Sequence, residues 1–255
     1  MRLDETPQPD RSDFYRDYSA LKQWVGEYVP DDMDRFSRAL KKIRLPNDSS
    51  ILEIGFGEGR FLDWAREHGH TVEGIEILPD MVKRARLRNH VVYLGALHQL
   101  EAAGPRFDLI AAFDVVEHLT IAEILDLFED ADHLLKRDGK ILLQFPNSSS
   151  PFSALYQNGD LTHKSALSKA SLEQISRSMG WYVDQFFNAR ATSRHPLKQI
   201  KMWVSHAIRD LLELVFGYIY YGVRVPLDPN IVVVFNRSKA NDLSAPVSFT
   251  APSAG

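Results

Sequence analysis

Strand-like and helix-like segments alternate through the middle of this chain, and the alternation restricts the possible folds more than any other feature. Short apolar runs predict five strands, at residues 50–54, 71–75, 90–94, 107–113 and 140–145. Helical patterns lie between them, at residues 59–68, 79–88 and 121–136. Strands separated by helices of this length form βαβ units with parallel strands. The sequence therefore predicts an α/β fold on a doubly wound sheet.

The pattern changes after Pro146, where a segment rich in Ser and Asn begins. A helix is predicted from its N-cap at Ser171 to Gly180. Two further strands are predicted at residues 181–188 and 230–236, one long helix between them at 196–221, and two helical segments ahead of the core at 13–44. We expect a seven-stranded, mostly parallel sheet with N-terminal helices and a helical insertion before the last strand.

The length and composition suit one globular domain, since 44% of the 255 residues are hydrophobic and 25% are charged. We expect a flexible N-terminus at residues 1–12, a single domain at 13–237 and a disordered tail at 238–255. Within the domain, a cofactor-binding core at about 45–146 precedes an acceptor and cap region at about 147–229.

Charge and cysteine content exclude several classes of function. The net charge of −4 provides no basic field for a nucleic-acid partner. The absence of cysteine excludes disulfides, thiolate nucleophiles and zinc–thiolate sites, and it suits a reducing compartment. No apolar core of a signal peptide and no uninterrupted apolar run of ~18 residues is found. We expect a cytoplasmic protein.

A glycine-rich turn follows the first predicted strand. Gly55, Gly57 and Gly59 alternate after Glu53, and a helical pattern begins directly behind them. Such glycines let the backbone approach a ligand closely, and free N–H groups at a helix N-terminus favour an anionic or polar ligand. A dinucleotide site usually has the spacing G-x-G-x-x-G, which argues against a nicotinamide-linked dehydrogenase. Glu76, about 20 residues beyond the turn, is placed to accept hydrogen bonds from both ribose hydroxyls.

Together these segments resemble the class I S-adenosylmethionine-dependent methyltransferases. The matching pieces are residues 53–59, Glu76, the strand start at Phe107 and Asp108, and residues 134–140, in the family's order within roughly residues 30–190. The resemblance implies that S-adenosylmethionine is the cofactor. It implies cofactor contacts at Glu53, Gly55, Gly57, Gly59, Glu76, Ile77, Ala96, Leu97 and Asp114. Many relatives carry an acid at the position of Ala96, and its absence leaves the adenine amino group to backbone or water.

Asp114, Glu117 and His118 follow the fourth strand at i, i+3 and i+4. A helical turn there would direct all three to one side, at the carboxyl edge of the sheet where ligands bind. The pattern resembles that of ubiquinone-pathway O-methyltransferases and of small-RNA 3′-end 2′-O-methyltransferases. In the latter, the matching residues and a distant histidine hold a divalent cation beside the acceptor hydroxyl, and His163 is the candidate for that histidine.

Three interpretations of these residues stay open. Asp114, Glu117, His118 and His163 could hold Mg²⁺ or Mn²⁺, which would acidify the acceptor hydroxyl. Without a metal, Asp114 would border the cofactor, His118 would act as a general base with Glu117 beside it, and His163 would bind the substrate. In the third interpretation, Glu117 and His118 only begin a helix.

A second set of motifs concerns the acceptor. Pro146 and Asn147, residues 159–163, and the strand start at Pro229 and Asn230 resemble segments of methyltransferases associated with bacterial surface-polysaccharide assembly. The resemblance implies a hydroxyl of a surface glycan, such as O-antigen or capsule, or of its lipid-linked precursor. A quinone-like or other small-molecule phenol is the alternative acceptor. A third hypothesis is a catalytically silent cofactor-binding partner in a biosynthetic complex.

Apolar side chains dominate residues 200–221 of the predicted insertion, with Lys198 and Lys201 toward its start. This stripe suits a helix that lies on the inner face of a membrane. Stripes of this kind more often cap the core or form a homodimer contact. The charges of Asp210 and Glu213 also weaken the membrane interpretation.

Overall fold

The computed structural model describes residues 32–104, 106–190, 193 and 195–237. The expected flexible N-terminus at 1–12 and disordered tail at 238–255 lie outside the described residues. So does the first of the two helical segments predicted ahead of the core, which ends before Pro30.

Seven helices and seven strands are formed by the described residues. The helices are α1 Asp32–Lys42, α2 Arg60–Glu67, α3 Pro79–Leu87, α4 Ile121–Leu134, α5 Ala154–Asn158, α6 Lys169–Ser178 and α7 Pro196–Tyr221. The strands are β1 Ser50–Ile54, β2 Thr71–Glu76, β3 Val91–Leu94, β4 Phe107–Phe113, β5 Leu135–Pro146, β6 Trp181–Asn188 and β7 Asn230–Arg237. Two 3₁₀ turns, Leu97–Ala103 and Val116–His118, flank β4.

The seven strands form one sheet in the order β3-β2-β1-β4-β5-β7-β6 within the described chain. The pairs from β3 to β5 are parallel, whereas β7 is antiparallel to both β5 and β6. Helices α1, α2 and α3 cover one face, and α4 and α6 cover the other. The predicted doubly wound, mostly parallel sheet is therefore confirmed, including the helical insertion before its last strand.

Helix α1 is fixed to the sheet by an aromatic cluster. The Phe36 ring lies 5.0 Å from the rings of both Phe61 and Phe113, and Phe61 stacks on Trp64 at 5.7 Å. Aromatic pairs at these distances add to the burial energy of their surfaces. The contacts hold α1 over the carboxyl end of β4.

The boundary between α4 and β5 differs from the prediction. Helix α4 ends at Leu134 and β5 begins at Leu135, five residues before the predicted start at 140. The guanidinium of Arg237 donates to the carbonyl oxygens of Leu135 and Lys136 at 3.1 and 2.6 Å. Carbonyl groups at this helix end thus obtain a partner from β7, which a local helix-end signal does not reveal.

The predicted N-cap of α6 was also wrong by three residues. Ser168 is the N-cap, and its hydroxyl accepts from the Ser171 N–H at 3.1 Å. The Ser171 hydroxyl in turn accepts from the Ser168 N–H at 2.8 Å. This reciprocal arrangement is a capping box, in which Ser171 takes the position usually held by Glu or Gln.

Helix α7 is attached to the domain through an ionic network centred on the buried Arg190 and Glu213. Arg190 lies 2.9 Å from Asp210 and 3.5 Å from Glu213, and Arg224 lies 3.1 Å from Glu213. Gly217 lets the segment after α7 pack closely against the helix, because a Cβ at position 217 would lie 2.6 Å from the Val223 oxygen.

Many apolar side chains of α7 are exposed rather than packed on the described core. Trp203, Leu211, Tyr218, Ile219 and Tyr220 are each at least 59% exposed. No helix within the described ranges is long and apolar enough to cross a membrane.

Candidate active site

The glycine turn joins β1 to α2 at the carboxyl edge of the sheet. Gly55, Gly57 and Gly59 have φ angles of 64°, 51° and 72°, in the left-handed region that favours glycine. The Gly55 N–H donates to the Ile75 oxygen at 2.8 Å. A Cβ at Gly55 would lie only 2.6 Å from Val115 Cγ2. The turn therefore needs its glycines for both conformation and space.

Glu76 ends β2 opposite this turn and is 6% exposed. Its Oε2 accepts from the Gly57 N–H at 3.0 Å, and its Oε1 accepts from Ile77 and Leu78 N–H at 2.8 and 3.1 Å. A carboxylate oxygen can accept more than one hydrogen bond, so Oε2 retains capacity for a hydroxyl donor. The acid predicted to bind ribose is thus held by backbone groups at the glycine turn.

Glu53 is buried beneath the turn and is 4% exposed. It accepts a hydrogen bond from the Leu62 backbone, while its Oε2 has no hydrogen-bond partner in the described chain. Burial raises the pKa of Glu53 well above its usual value, against an opposing effect of Arg35, and the nearby Glu76 raises it further. A ligand with a positive charge or an N–H donor would stabilise the ionised form of this buried carboxyl. S-adenosylmethionine has both, in its ammonium and sulfonium groups, and so fits the residues present.

The residues predicted to border adenine differ in exposure. Ile77 is 61% exposed, and Ala96 is also exposed, at the carboxyl ends of β2 and β3. Leu97 is 6% exposed and packs in the core cluster. The side chains of Ile77 and Ala96 can therefore contact a ligand at this edge, whereas that of Leu97 lies in the core.

Asp114 follows β4 directly and has a left-handed conformation, with φ 58°. The buried amide of Gln144 donates to its two carboxylate oxygens at 3.2 and 3.3 Å. The 3₁₀ turn begins only at Val116. Because the backbone changes direction between these residues, the predicted common face of Asp114, Glu117 and His118 is wrong. Asp114 stays next to the cofactor turn and does not join the other two.

Glu117, His118 and His163 do come together. One ligand atom from each lies within 4.8 Å of the others, and Glu117 is 2% exposed. The two imidazole rings lie edge to face, with centroids 4.7 Å apart. The predicted association of a distant histidine with this turn is present in the structure.

Backbone hydrogen bonds hold the segment containing His163 against the turn. The Lys164 and Ser165 N–H groups donate to the backbone carbonyl oxygen of Glu117 at 2.8 and 3.1 Å. The Ser165 hydroxyl donates to the Leu119 oxygen at 2.6 Å. These long-range bonds explain how residues more than 40 positions apart form one site.

Hydrogen bonding assigns the imidazole tautomers. The Thr162 hydroxyl donates to Asp160 Oδ1 at 2.5 Å, so its oxygen accepts from His118 Nδ1–H at 2.9 Å. His163 Nδ1 donates to the Gln157 oxygen at 3.0 Å. Each ring therefore carries its lone pair on Nε2 when neutral.

Asp160 and Thr162 are functional candidates to which the sequence alone gave no role. Burial opposes ionisation, but the hydroxyl and backbone N–H of Thr162, with the nearby His118 and His163, lower the pKa of Asp160. Thr162 N–H donates to Asp160 Oδ1 at 2.8 Å, which is the local turn that an Asp-x-Thr spacing favours. The Asp-x-Thr spacing is the feature of the sequence that could have indicated these two residues.

The donor set of Glu117, His118 and His163 has two chemical uses. Two imidazole nitrogens and one carboxylate suit Mn²⁺ or Mg²⁺, and the Nδ1–H bonds to Thr162 and the Gln157 oxygen are of the kind that orients metal-binding histidines. The same arrangement suits general-base catalysis, in which a hydroxyl and a carboxylate orient His118. The geometry fits both uses.

Comparison with known proteins identifies a family for the chain. A family model described as a methyltransferase domain matches residues 24–213. EEF1A lysine methyltransferase 2 of Mus musculus is 38% identical over 61 residues, which are 24% of this chain and 24% of that relative's length. The chain therefore matches about a quarter of that relative.

Two solved structures share the fold. A SAM-dependent methyltransferase from Archaeoglobus fulgidus has a TM-score of 0.59 at 19% identity and covers 80% of this chain and 94% of its own. The 1,6-didemethyltoxoflavin-N1-methyltransferase of Burkholderia thailandensis, with 1,6-didemethyltoxoflavin and S-adenosylhomocysteine bound, has a TM-score of 0.59 at 14% identity. It covers 92% of this chain and 93% of its own.

Proposed function

Because the chain belongs to the class I S-adenosylmethionine-dependent methyltransferases, we propose that it methylates a hydroxyl oxygen of its acceptor. When bound, S-adenosylmethionine supplies an electrophilic methyl group. The glycine turn at residues 55–59, with Glu53 and Glu76, would hold the cofactor. The choice of a hydroxyl rests on one observation, the hydrogen-bonded chain from His118 through Thr162 to Asp160.

In this proposal, His118 Nε2 would take the proton of the acceptor hydroxyl as its oxygen bonds to the methyl carbon. The bond between that carbon and the sulfonium sulfur would break at the same time, and S-adenosylhomocysteine would be the leaving product. The imidazolium that results keeps its Nδ1–H bond to Thr162, and the ionised Asp160 stabilises the positive charge. His163, edge to face with His118, would position the acceptor. A correctly oriented base of this kind contributes typically 10²–10⁴-fold to the rate.

A divalent cation on Glu117, His118 and His163 is the competing proposal for the same residues. As a Lewis acid it would acidify the acceptor hydroxyl without a separate base. Full activity in excess chelator is expected for the base mechanism, and loss of activity that Mn²⁺ or Mg²⁺ restores is expected for the metal. In both cases His118→Ala lowers activity, by about 100-fold or more.

For the acceptor, we propose a surface glycan or its lipid-linked precursor. The support is the set of short motifs after β5 and before β7, two of which meet in the structure. The Asn147 N–H donates to the Pro229 oxygen at 2.7 Å, and the Asn147 amide donates to the Pro226 oxygen at 3.1 Å. These bonds bring both motifs to the carboxyl end of β5.

The exposed face of α7 supports a peripheral membrane location for this activity. From Leu211 to Tyr221 the helix has one charged residue, Glu213, which is 2% exposed. Lys198 and Lys201, near the start of the helix, are exposed. An apolar surface next to cations is the arrangement that binds anionic membrane surfaces.

The acceptor is tested by mass spectrometry of surface glycans from cells with and without the gene. The expected result is the loss of one CH₂ unit from a defined sugar when the gene is removed, and its return with the wild-type gene but not with His118→Ala. Unchanged glycans together with a methyl group missing from a quinone-type lipid would instead identify the phenol as the acceptor.

A further inference from the structure

A second concave site lies between α1 and α7. Its volume is about 790 Å³, and its walls include Arg38, Lys41, Lys42, Gln199, Trp203 and His206. A phosphate group would occupy only part of this space. The groove is therefore large enough for an anionic group with the sugar or lipid to which it is attached.

One wall of the groove presents three cations from a single helix. Arg38, Lys41 and Lys42 stand at i, i+3 and i+4 on α1, so their side chains share one face. No ion pair or hydrogen bond joins any of the three to another residue within the described ranges. The Lys42 ammonium lies over the Phe187 ring, 4.6 Å from its centroid.

The acids nearest to the groove are neutralised by other residues. Asp228 pairs with Arg190 at 2.5 Å, and Glu213 pairs with Arg224 at 3.1 Å. Asp210, the acid in the wall, lies 2.9 Å from both arginines. Among the described residues, the cations of α1 are thus left without an equivalent negative charge.

Burial and the positive charge of neighbouring side chains disfavour the charged forms of Arg38 and Lys42. Burial, followed by Arg190, lowers the pKa of Arg38. Burial, then Arg38 and Arg190, lowers the pKa of Lys42, and burial with the same two arginines lowers that of His206. A bound anion would reverse the repulsive part of these shifts.

The groove lies near the carboxyl edge of the sheet. Arg38 and Arg190, which line it, also line a cavity of only about 10 Å³ together with Phe113 and Gln144. Gln144 is the residue whose amide donates to the Asp114 carboxylate. Residues of the groove therefore border the sheet edge at which methyl transfer is proposed.

We propose that this groove binds a phosphoryl group of the methyl acceptor through Arg38, Lys41 and Lys42. The inference rests on the proposed function, since it assigns part of the acceptor rather than a separate activity. Clustered Arg and Lys side chains recognise phosphoryl oxygens by charge-assisted hydrogen bonds. Trp203, 62% exposed on the opposite wall, offers a flat apolar surface for the adjoining part of the acceptor.

The test is calorimetric titration of the full chain with inorganic pyrophosphate, with S-adenosylhomocysteine present. We expect pyrophosphate binding that weakens at higher salt, and at least a tenfold loss of affinity in Arg38→Gln and in the double variant Lys41→Gln/Lys42→Gln. The matched control is Lys83→Gln/Arg84→Gln, which removes the same charge from the exposed face of α3 and should bind like wild type.

Absence of pyrophosphate binding by wild type, or equal affinities in the groove and control variants, would overturn the proposal. Affinity for S-adenosylhomocysteine should be the same in all variants, which shows that they are folded. If wild type fails to bind S-adenosylhomocysteine, the proposed function fails, and pyrophosphate binding still reports on the groove separately.

Two further titrations identify the source of the phosphoryl group. Vesicles with 30% phosphatidylglycerol in phosphatidylcholine represent a membrane lipid, and a uridine diphosphate sugar represents a soluble ester. Loss of vesicle binding in Lys41→Gln/Lys42→Gln would assign the groove to a lipid-linked phosphate. If the same variant loses only the binding of the sugar nucleotide and still binds vesicles, the groove is assigned to the phosphate of a soluble ester.

Discussion

At the scale of single residues, the proposed chemistry depends on the hydroxyl of Thr162. It accepts from His118 and donates to Asp160, and it thereby fixes the tautomer that leaves the His118 lone pair on Nε2. A side chain of the same shape without a hydroxyl would keep the packing but lose both bonds. Thr162 is therefore a positioning residue rather than a catalytic one.

Thr162→Val should lower kcat by about tenfold or more, because His118 loses the group that orients it. Thr162→Ser keeps the hydroxyl and should restore most of the activity. The measurement is the pH profile of kcat/KM for both variants. Loss of activity in Thr162→Ser equal to that in Thr162→Val, with unchanged pH profiles, would indicate a merely structural role.

Glu53 leads to a prediction about stability. Its pKa is raised in the folded state, so the unfolded chain loses this proton at a lower pH. The free energy of unfolding therefore falls as the pH rises above the ordinary carboxyl pKa, and the penalty is complete only above the raised pKa.

Glu53→Gln removes that penalty and should raise the free energy of unfolding near pH 8 by about 1 kcal/mol, with no gain near pH 4. Urea denaturation across this pH range measures the effect, and the same variant should bind S-adenosylmethionine more weakly. Glu58→Gln, at an exposed position in the same turn, is the control. A pH-independent change in Glu53→Gln would show that Glu53 does not ionise differently on folding.

At the scale of secondary-structure elements, α7 shows how the structure changes an argument made from sequence. Asp210 and Glu213 weakened the membrane interpretation because an exposed helix would carry them into the interface. In the structure Glu213 is buried against Arg190 and Arg224, and Asp210, whose side chain is 46% exposed, pairs with the same two arginines. The outward face keeps the apolar side chains and the cations near the start of the helix.

Replacing two exposed apolar residues of α7 should release the protein from membranes. The double variant Tyr218→Glu/Ile219→Glu, at positions 61% and 69% exposed, should bind phosphatidylglycerol vesicles at least tenfold more weakly than wild type. Leu87→Glu on α3, at a position 76% exposed, is the control and should bind normally. Vesicle sedimentation measures the affinity. A stable dimer that does not bind vesicles would show that α7 serves as a subunit contact instead.

At the scale of the whole molecule, local patterns were sufficient for the sheet and its cofactor edge. Short apolar runs predicted all seven strands, five of them in alternation with helices, and the spacing of Gly55, Gly57 and Gly59 with Glu76 predicted two segments that do meet. Both signals are short-range and repetitive, and they follow from backbone geometry. These signals can therefore be recognised in a single sequence.

Features that depend on long-range contacts could not be predicted in the same way. The start of β5 depends on Arg237, about 100 residues away. The place of His163 depends on bonds from the Lys164 and Ser165 N–H groups to the carbonyl oxygen of Glu117, more than 40 positions away. Asp114 was expected beside Glu117, but a left-handed backbone separates them. The cationic groove combines residues of α1 and α7, which no motif connects.

The account as a whole depends on S-adenosylmethionine being the ligand of the glycine turn. Calorimetry of the purified chain with S-adenosylmethionine tests this most directly, with Glu76→Ala as the site variant and the exposed Glu58→Ala as the control. We predict one-site binding that is weakened at least tenfold in Glu76→Ala and unchanged in Glu58→Ala, with no binding of NAD. Absence of S-adenosylmethionine binding by wild type, or tight binding of NAD, would contradict the account.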